Sequence, residues 1–102
     1  MSRVVFSIKY SVHPERRNDY LDVVRELKNL VKAEGLESYS VFEQKNKANN
    51  FEEIYIFKTQ EAYDSFEDNT DERIDILMTK LSDMIKEQTT QYTTLFEVNN
   101  AQ

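Results

Sequence analysis

Hydrophobic residues in this chain recur at two spacings, and the order in which the spacings alternate limits the available folds. The segments RVVFSIKYSV, LESYSVFEQ, FEEIYIFK and YTTLFEV alternate with a period of two and are rich in aromatic and β-branched residues, as strands are. HPERRNDYLDVVRELKNLVKAEG carries an apolar stripe at helical spacing, and so does the segment after Thr59. The predicted order is strand, helix, strand, strand, helix, strand.

This order predicts an α+β domain of the ferredoxin-like βαββαβ type, in which an antiparallel four-stranded sheet carries the helices on one face. Alternation assigns one face of the first strand to Val4, Phe6, Ile8, Tyr10 and Val12. Val5, Tyr39 and Val41 then remain to be buried on the second face. A second sheet packed face to face would bury them, so we expect a homodimer.

Particular residues predict where the helices begin and end. Pro14 suits the first turn of a helix, where its missing N–H costs nothing. Gly35, the only glycine, stands where a left-handed C-cap is expected. Thr59 is a good N-cap for the second helical segment. A break is expected at Asn69-Thr70, with Thr70 capping a further helix.

Length and charge restrict the class of protein. The 102 residues predict a single domain over residues 1–98, followed by a loose tail at 99–102. The net charge of −6 disfavours nucleic acid and anionic lipid as partners. The chain has no cysteine for disulfides, thiolate metal sites or nucleophilic catalysis. The N-terminal segment lacks the pattern of a signal peptide and no apolar run would span a bilayer, so a cytoplasmic location is expected.

Two groups of polar side chains are candidates for chemistry. His13, the only histidine, is either a general base at the rim of a pocket or an exposed residue before a helix. The carboxylate run from Asp64 to Asp75 would offer oxygen ligands to a hard cation, but it has no histidine partner and no calcium-loop pattern. A solvated helix face is the better interpretation of the run, and no metal site is predicted.

Aromatic residues, all Phe and Tyr, make up 12% of the chain. Their simplest role is to form the core, although a buried tyrosine needs a partner for its hydroxyl. The other interpretation is a cavity lined by Phe57 and Phe66 with nearby phenol groups, which would suit a flat aromatic ligand.

The segments IYIFKTQEAYDSF and KAEGLESYSVFEQ, together with the order of the elements, resemble the dimeric α/β-barrel superfamily and its antibiotic-biosynthesis-monooxygenase-like domains. The resemblance covers roughly residues 3 to 98. It implies the ferredoxin-like fold, a dimeric α/β barrel and oxygenase chemistry.

The chain departs from the pattern of this family at three reactive positions. Phe57 stands where several relatives carry Trp, Phe66 where many carry His, and Ser7 nearest to an Asn of haem-degrading relatives. Phenylalanine can neither ligate iron nor exchange a proton. We therefore expect that the protein neither binds nor degrades haem.

The resemblance implies a small monooxygenase that uses no cofactor and acts on a phenolic or quinone-like molecule, which itself supplies the electrons to oxygen. The candidates for polar catalytic roles are Ser7, Lys9 and His13. The candidates for ligand-binding walls are Tyr55, Phe57 and Phe66. The alternative is a non-catalytic module, small-molecule-binding or stress-associated, that has kept the fold and lost the reaction.

Overall fold

The structure is a computed structural model that describes residues 2–66 and 71–98. The four strands are β1 (Val4–Ser11), β2 (Leu36–Glu43), β3 (Asn50–Phe57) and β4 (Gln91–Phe96). The three α-helices are α1 (Arg17–Leu30), α2 (Gln60–Phe66) and α3 (Glu72–Ser82). The predicted tail at 99–102 lies outside the described residues.

The strands form one antiparallel sheet in the order β2-β3-β1-β4. The ferredoxin-like α+β fold predicted from the order of elements is confirmed. The two central strands are β3 and β1, which are separated in sequence by α1 and β2. Strand β1 pairs with both β3 and β4. The sheet is therefore held together by contacts between residues distant in sequence.

The core lies between one face of the sheet and the helices. The register opposes Val4 to Phe57 and Tyr10 to Phe51, so these four side chains share a face, and all are buried. The stripe of α1 and the apolar side of α3 complete the core, with the buried residues Tyr20, Val23, Val24, Leu27, Leu77 and Leu81.

The second strand corrects one prediction about the two faces. Tyr39 and Val41 were expected on the face away from the helices, but Tyr39 pairs with Tyr55 and Val41 with Glu53, on the helix side. The cause is an irregularity of the register between Leu36 and Ser38, where β2 has one more residue than β3. An extra residue of this kind reverses the alternation of the residues that follow it.

The face of the sheet away from the helices, called the open face, is largely apolar along its centre. Val5 of β1 lies between Ile56 of β3 and Leu95 of β4. Leu95 and Phe42 are more than half exposed. The two lie near opposite corners of this face, and exposed side chains of this size across one sheet face are typical of a surface that another chain covers.

The loops confirm the predicted residue types and correct the role of one position. Pro14 begins a short 3₁₀ turn, Pro14–Arg16, that leads into α1. Gly35 has the expected positive φ of 82°, but α1 already ends at Leu30, so Gly35 serves the turn before β2 rather than the helix C-cap.

The second helical segment is two helices, as the expected break implies. The Thr59 hydroxyl accepts a hydrogen bond from the Ala62 amide at 3.1 Å, which confirms Thr59 as a cap. Asp71, not Thr70, caps α3, because its carboxylate accepts hydrogen bonds from the amides of Arg73 and Ile74. Asn69 and Thr70 lie outside the described residues.

One ion pair fastens the start of α1 to the loop between β2 and β3. The Arg17 guanidinium donates to both carboxylate oxygens of Glu43 at 2.6 and 2.8 Å, and also to the Asn49 side chain at 2.9 Å. These bonds, with the Asn49 amide, lower the pKa of Glu43 to about 2. The bidentate geometry fixes the approach of the helix to the sheet.

We expect that Gly35→Ala lowers the free energy of unfolding by about 2–4 kcal/mol, by combining strain at a positive φ with overpacking. A Cβ at this position would overlap the Cβ of Ala62. Chemical unfolding of the variant measures the loss. The double variant Gly35→Ala/Ala62→Gly should recover part of it, because only the overlap is removed. A single variant as stable as the wild type would contradict the prediction.

We expect the protein to be a dimer in solution through its open face, with an interface above about 1,200 Å². Leu95→Asp, at an exposed position of that face, should yield monomers, because it places a charge inside the interface. Ile76→Asp, at an exposed position of α3, is the matched control and should remain dimeric. Light scattering at micromolar concentration measures both. A monomeric wild type over the whole dilution range would refute the predicted dimer.

Candidate functional site

A carboxyl group lies in the core, on the helix side of β3. Alternation along NFEEIYIF puts Glu53 in the same row as Phe51, Tyr55 and Phe57, and its side chain is only 2% exposed. A charge in such a row costs free energy unless it is paired or neutralised. Glu53 and the residues around it are therefore a candidate functional site.

Tyrosine hydroxyls surround this carboxyl. The Tyr39 hydroxyl donates to Oε1 of Glu53 at 2.7 Å, and the Tyr55 hydroxyl donates to the same oxygen at 3.5 Å. Next to them, the hydroxyls of Tyr10 and Tyr20 are joined by a hydrogen bond of 2.6 Å. We call Tyr10, Tyr20, Tyr39, Glu53 and Tyr55 the tyrosine–glutamate cluster.

Four different elements bring the cluster together. Tyr10 comes from β1, Tyr20 from α1, Tyr39 from β2 and Tyr55 from β3, and all four rings are buried. The Tyr39 and Tyr55 rings lie 4.7 Å apart, which follows from their direct opposition across the two strands. The cluster is thus a product of sheet register and helix packing together.

Burial governs the protonation of the cluster. Removal from water raises the pKa of Glu53, and the hydroxyls of Tyr39, Tyr10 and Tyr55 oppose this rise only in part. Among the described residues, no Lys, Arg or His nitrogen lies within 4.0 Å of this carboxylate. Burial likewise raises the pKa of each of the four tyrosines, and the charge of Glu53 adds to the rise. A carboxyl of raised pKa exchanges its proton closer to neutral pH than an ordinary one.

The three predicted wall residues do lie together. The Phe57 ring centroid is 5.3 Å from that of Phe66 and 6.4 Å from that of Tyr55, and Tyr55 is 5.6 Å from Phe66. Phe6 and Tyr63, both half-buried, extend the group. We call Phe6, Tyr55, Phe57, Tyr63 and Phe66 the aromatic wall. Its role in binding stays a prediction.

The predicted polar residues do not converge on this wall. Ser7 and Lys9 belong to the open face, because the register places them opposite Ile54 and Glu52 of β3. His13 caps the 3₁₀ turn, is partly exposed, and has its Nδ1 3.7 Å from Oε1 of Glu15. The sheet itself separates Ser7 and Lys9 from Tyr55 and Phe57.

Glu53 is the residue that sequence reasoning missed. The sequence does contain a sign of its burial, since the glutamate lies inside an otherwise aromatic row of β3 that reads Phe51, Glu53, Tyr55, Phe57. A strand buried on that face must bury the glutamate as well. The four tyrosines were recognised as needing partners, but nothing in the sequence pairs them with this carboxyl.

Within residues 2–66 and 71–98, no three His, Asp or Glu side chains lie close enough together to hold a metal ion. In the same described part of the chain, no helix has the length and apolar character to cross a membrane.

Residues 3–72 match the family model of the antibiotic biosynthesis monooxygenases. The match spans more than half of the chain and includes β1, α1, β2, β3 and α2. No match was found among curated protein sequences.

Solved structures with the same fold come from several organisms. A conserved protein of Methanosarcina mazei is 17% identical with a TM-score of 0.78, over 93% of this chain and 92% of that one. A Mycobacterium tuberculosis protein is 14% identical with a TM-score of 0.76, over 98% and 99%. A variant of SnoaB, a cofactor-independent oxygenase of Streptomyces nogalater, is 14% identical with a TM-score of 0.72, over 91% and 90%. At these identities the likeness shows the fold.

We expect that Tyr39→Phe lowers the free energy of unfolding by about 1–3 kcal/mol, because the buried carboxyl loses its shortest hydrogen bond. Tyr92→Phe is the matched control, since Tyr92 is 69% exposed and its ring stacks on Phe6 without needing the hydroxyl. The control should stay within about 0.5 kcal/mol of the wild type in chemical unfolding. Equal losses in both variants would show that the Tyr39 hydroxyl is not a partner of Glu53.

Proposed function

The chain belongs to the antibiotic biosynthesis monooxygenase family, and on that premise we propose that it is a small oxygenase that acts without a cofactor on a phenolic or quinone-like molecule. The observation that carries the proposal is the junction of the tyrosine–glutamate cluster with the aromatic wall. Tyr55 belongs to both, since its hydroxyl reaches Glu53 and its ring contacts Phe66. A surface for a flat ring thus adjoins a group that can exchange a proton.

In the proposed reaction a phenol with a hydrogen at the oxidised ring carbon is converted to a quinone by molecular oxygen. The ring carbon gains one oxygen atom as a carbonyl. The second oxygen atom leaves as water, with the hydrogen of that carbon and the hydrogen of the phenol. The substrate supplies all the electrons, so the reaction needs no external reductant.

The residues of this chain would supply proton transfer, orientation and a dry environment. Glu53 would donate its proton to the reduced oxygen and then take up the proton of the phenol, a role for which a raised pKa is suited. The hydroxyls of Tyr39 and Tyr55 would orient its carboxyl. The fully buried Phe57 would exclude water without taking part in proton transfer.

The half-buried members of the aromatic wall give the direction of approach. Phe6, Tyr63 and Phe66 are all partly exposed, whereas Tyr55 and Phe57 are buried behind them. A flat substrate would therefore enter beside α2 and stack on the outer rings first. Ser7 and Lys9 would contribute only to a site enclosed by the open face, which is the interior of the proposed dimer.

A non-catalytic binding module is the second candidate function. It is favoured by the close contacts among the rings of the wall and by the separation of Ser7 and Lys9 from it. Such a module would bind a small aromatic molecule, without turnover, by stacking and apolar burial.

Oxygen uptake with a panel of phenols and naphthols tests the proposed function. We expect that Glu53→Gln lowers kcat at least about a hundredfold, because the amide cannot exchange a proton. Glu52→Gln makes the same substitution one residue away, on the open face, and should leave kcat within about twofold. Incorporation of labelled oxygen gas into the product identifies the reaction as an oxygenation.

Each outcome separates the candidates. Uptake that survives Glu53→Gln would overturn the role of Glu53. A shift of the melting temperature by a phenol without oxygen uptake would support the binding module instead. If no phenol or quinone causes either effect, both functions are wrong for this class of ligand.

A further inference from the structure

The tyrosine–glutamate cluster carries an inference that does not depend on the proposed function. We propose that the carboxyl of Glu53 is a neutral acid in the folded protein at neutral pH, and that its ionisation at higher pH loosens the packing of α1 against the sheet. The cluster is then a proton-controlled device built into the core. The observations that carry this are the burial of the carboxyl, the neutral phenols that donate to it and the ion-pair partners that it lacks among the described residues.

The hydrogen bonds fit a neutral acid. The phenols of Tyr39 and Tyr55 both donate to Oε1 of Glu53, and the Tyr10 hydroxyl is a further hydrogen-bond partner of the carboxyl. In a neutral carboxyl one oxygen is a carbonyl, which accepts two hydrogen bonds, and the other carries the proton. The donors around Glu53 are thus neutral phenols, and a neutral acid can accept hydrogen bonds from them.

The neighbours offer no compensating charge. The titratable groups that face Glu53 are Tyr10 from β1, Tyr20 from α1, Tyr39 from β2 and Tyr55 from β3. In the described part of the chain, the ion pairs join other residues, and none includes Glu53. A buried carboxylate with neutral donors alone pays a desolvation cost that a neutral acid avoids.

Ionisation therefore favours any arrangement that admits water to the carboxyl. Three of the tyrosines belong to the sheet, and the fourth, Tyr20, is the contribution of α1. Separation of α1 from the sheet is the opening that hydrates Glu53 and leaves the strand pairing intact. The hydrogen bond between Tyr10 and Tyr20 spans the boundary that would open.

The sign of the pH dependence follows from linkage. The unfolded chain releases the Glu53 proton near pH 4.3, at about the ordinary pKa of glutamate, whereas the folded protein retains it to higher pH. Stability is therefore full below that pH and falls as pH rises toward the pKa of the folded state, about tenfold in the folding constant per pH unit. The surface carboxylates Glu26, Glu43 and Glu97, whose pKa values are lowered, act in the opposite sense and only below about pH 4.5.

Near-ultraviolet circular dichroism of the full chain measures the packing of the tyrosine rings in the cluster. The chain has no Trp, and four of its six tyrosines belong to the cluster. We expect the wild type to show a tyrosine transition above the ordinary titration range of carboxyls, with the far-ultraviolet signal unchanged. The variant Glu53→Gln should lack this transition, and Glu52→Gln should keep it.

A second measurement keeps the proposal testable if Glu53→Gln does not fold. Infrared spectra of the wild type in deuterated buffer at neutral pH should contain the carbonyl band of one protonated carboxyl, which is lost as pH rises through the same transition. Absence of that band at neutral pH would overturn the proposal. Identical pH profiles of stability in wild type and Glu53→Gln would overturn it as well.

Discussion

The burial of the Glu53 carboxyl between the sheet and α1 requires a particular strand register and hydrogen-bond donors around the carboxyl. Glu53 stands at the centre of β3, which pairs with β1 on one side and β2 on the other. A shift of this strand by one residue would turn Glu53 to the open face and Glu52 into the core. With the tyrosine hydroxyls placed as they are, only the observed register satisfies the buried polar groups.

The register of β3 also places the tyrosine–glutamate cluster next to the aromatic wall. Tyr55 lies between the two, and its ring contacts Tyr39 on one side and Phe66 on the other. The rings of the aromatic wall form a flat apolar surface. Among the described residues, Glu53 is the only buried carboxyl beside it. In the proposed reaction proton transfer depends on Glu53, because Phe57 and Phe66 cannot exchange a proton.

Fold and chemistry rest on different grounds in this protein. The family model and the shared architecture of relatives at 14 to 17% identity establish the ferredoxin-like frame. A frame of this kind hosts many activities, so the reaction has to be argued from the site. Here a buried carboxyl with tyrosine hydroxyls around it lies beside a wall of rings, and that combination is the basis of the proposed oxidation of a phenol.

The sequence by itself determined the element order, the α+β fold and the helix-facing row of β1, because hydrophobic periodicity is a local property of the chain. It also located the Thr59 cap and the positive φ at Gly35. Tyr55, Phe57 and Phe66, which it grouped together, do lie side by side, and their role in binding stays a prediction. It assigned Tyr39 and Val41 to the wrong face, because the irregularity between Leu36 and Ser38 appears only when β2 pairs with β3. Only the tertiary structure gathered Tyr10, Tyr20, Tyr39 and Tyr55 around Glu53, since hydrogen bonds between residues on four elements depend on register and helix packing, which no local pattern encodes.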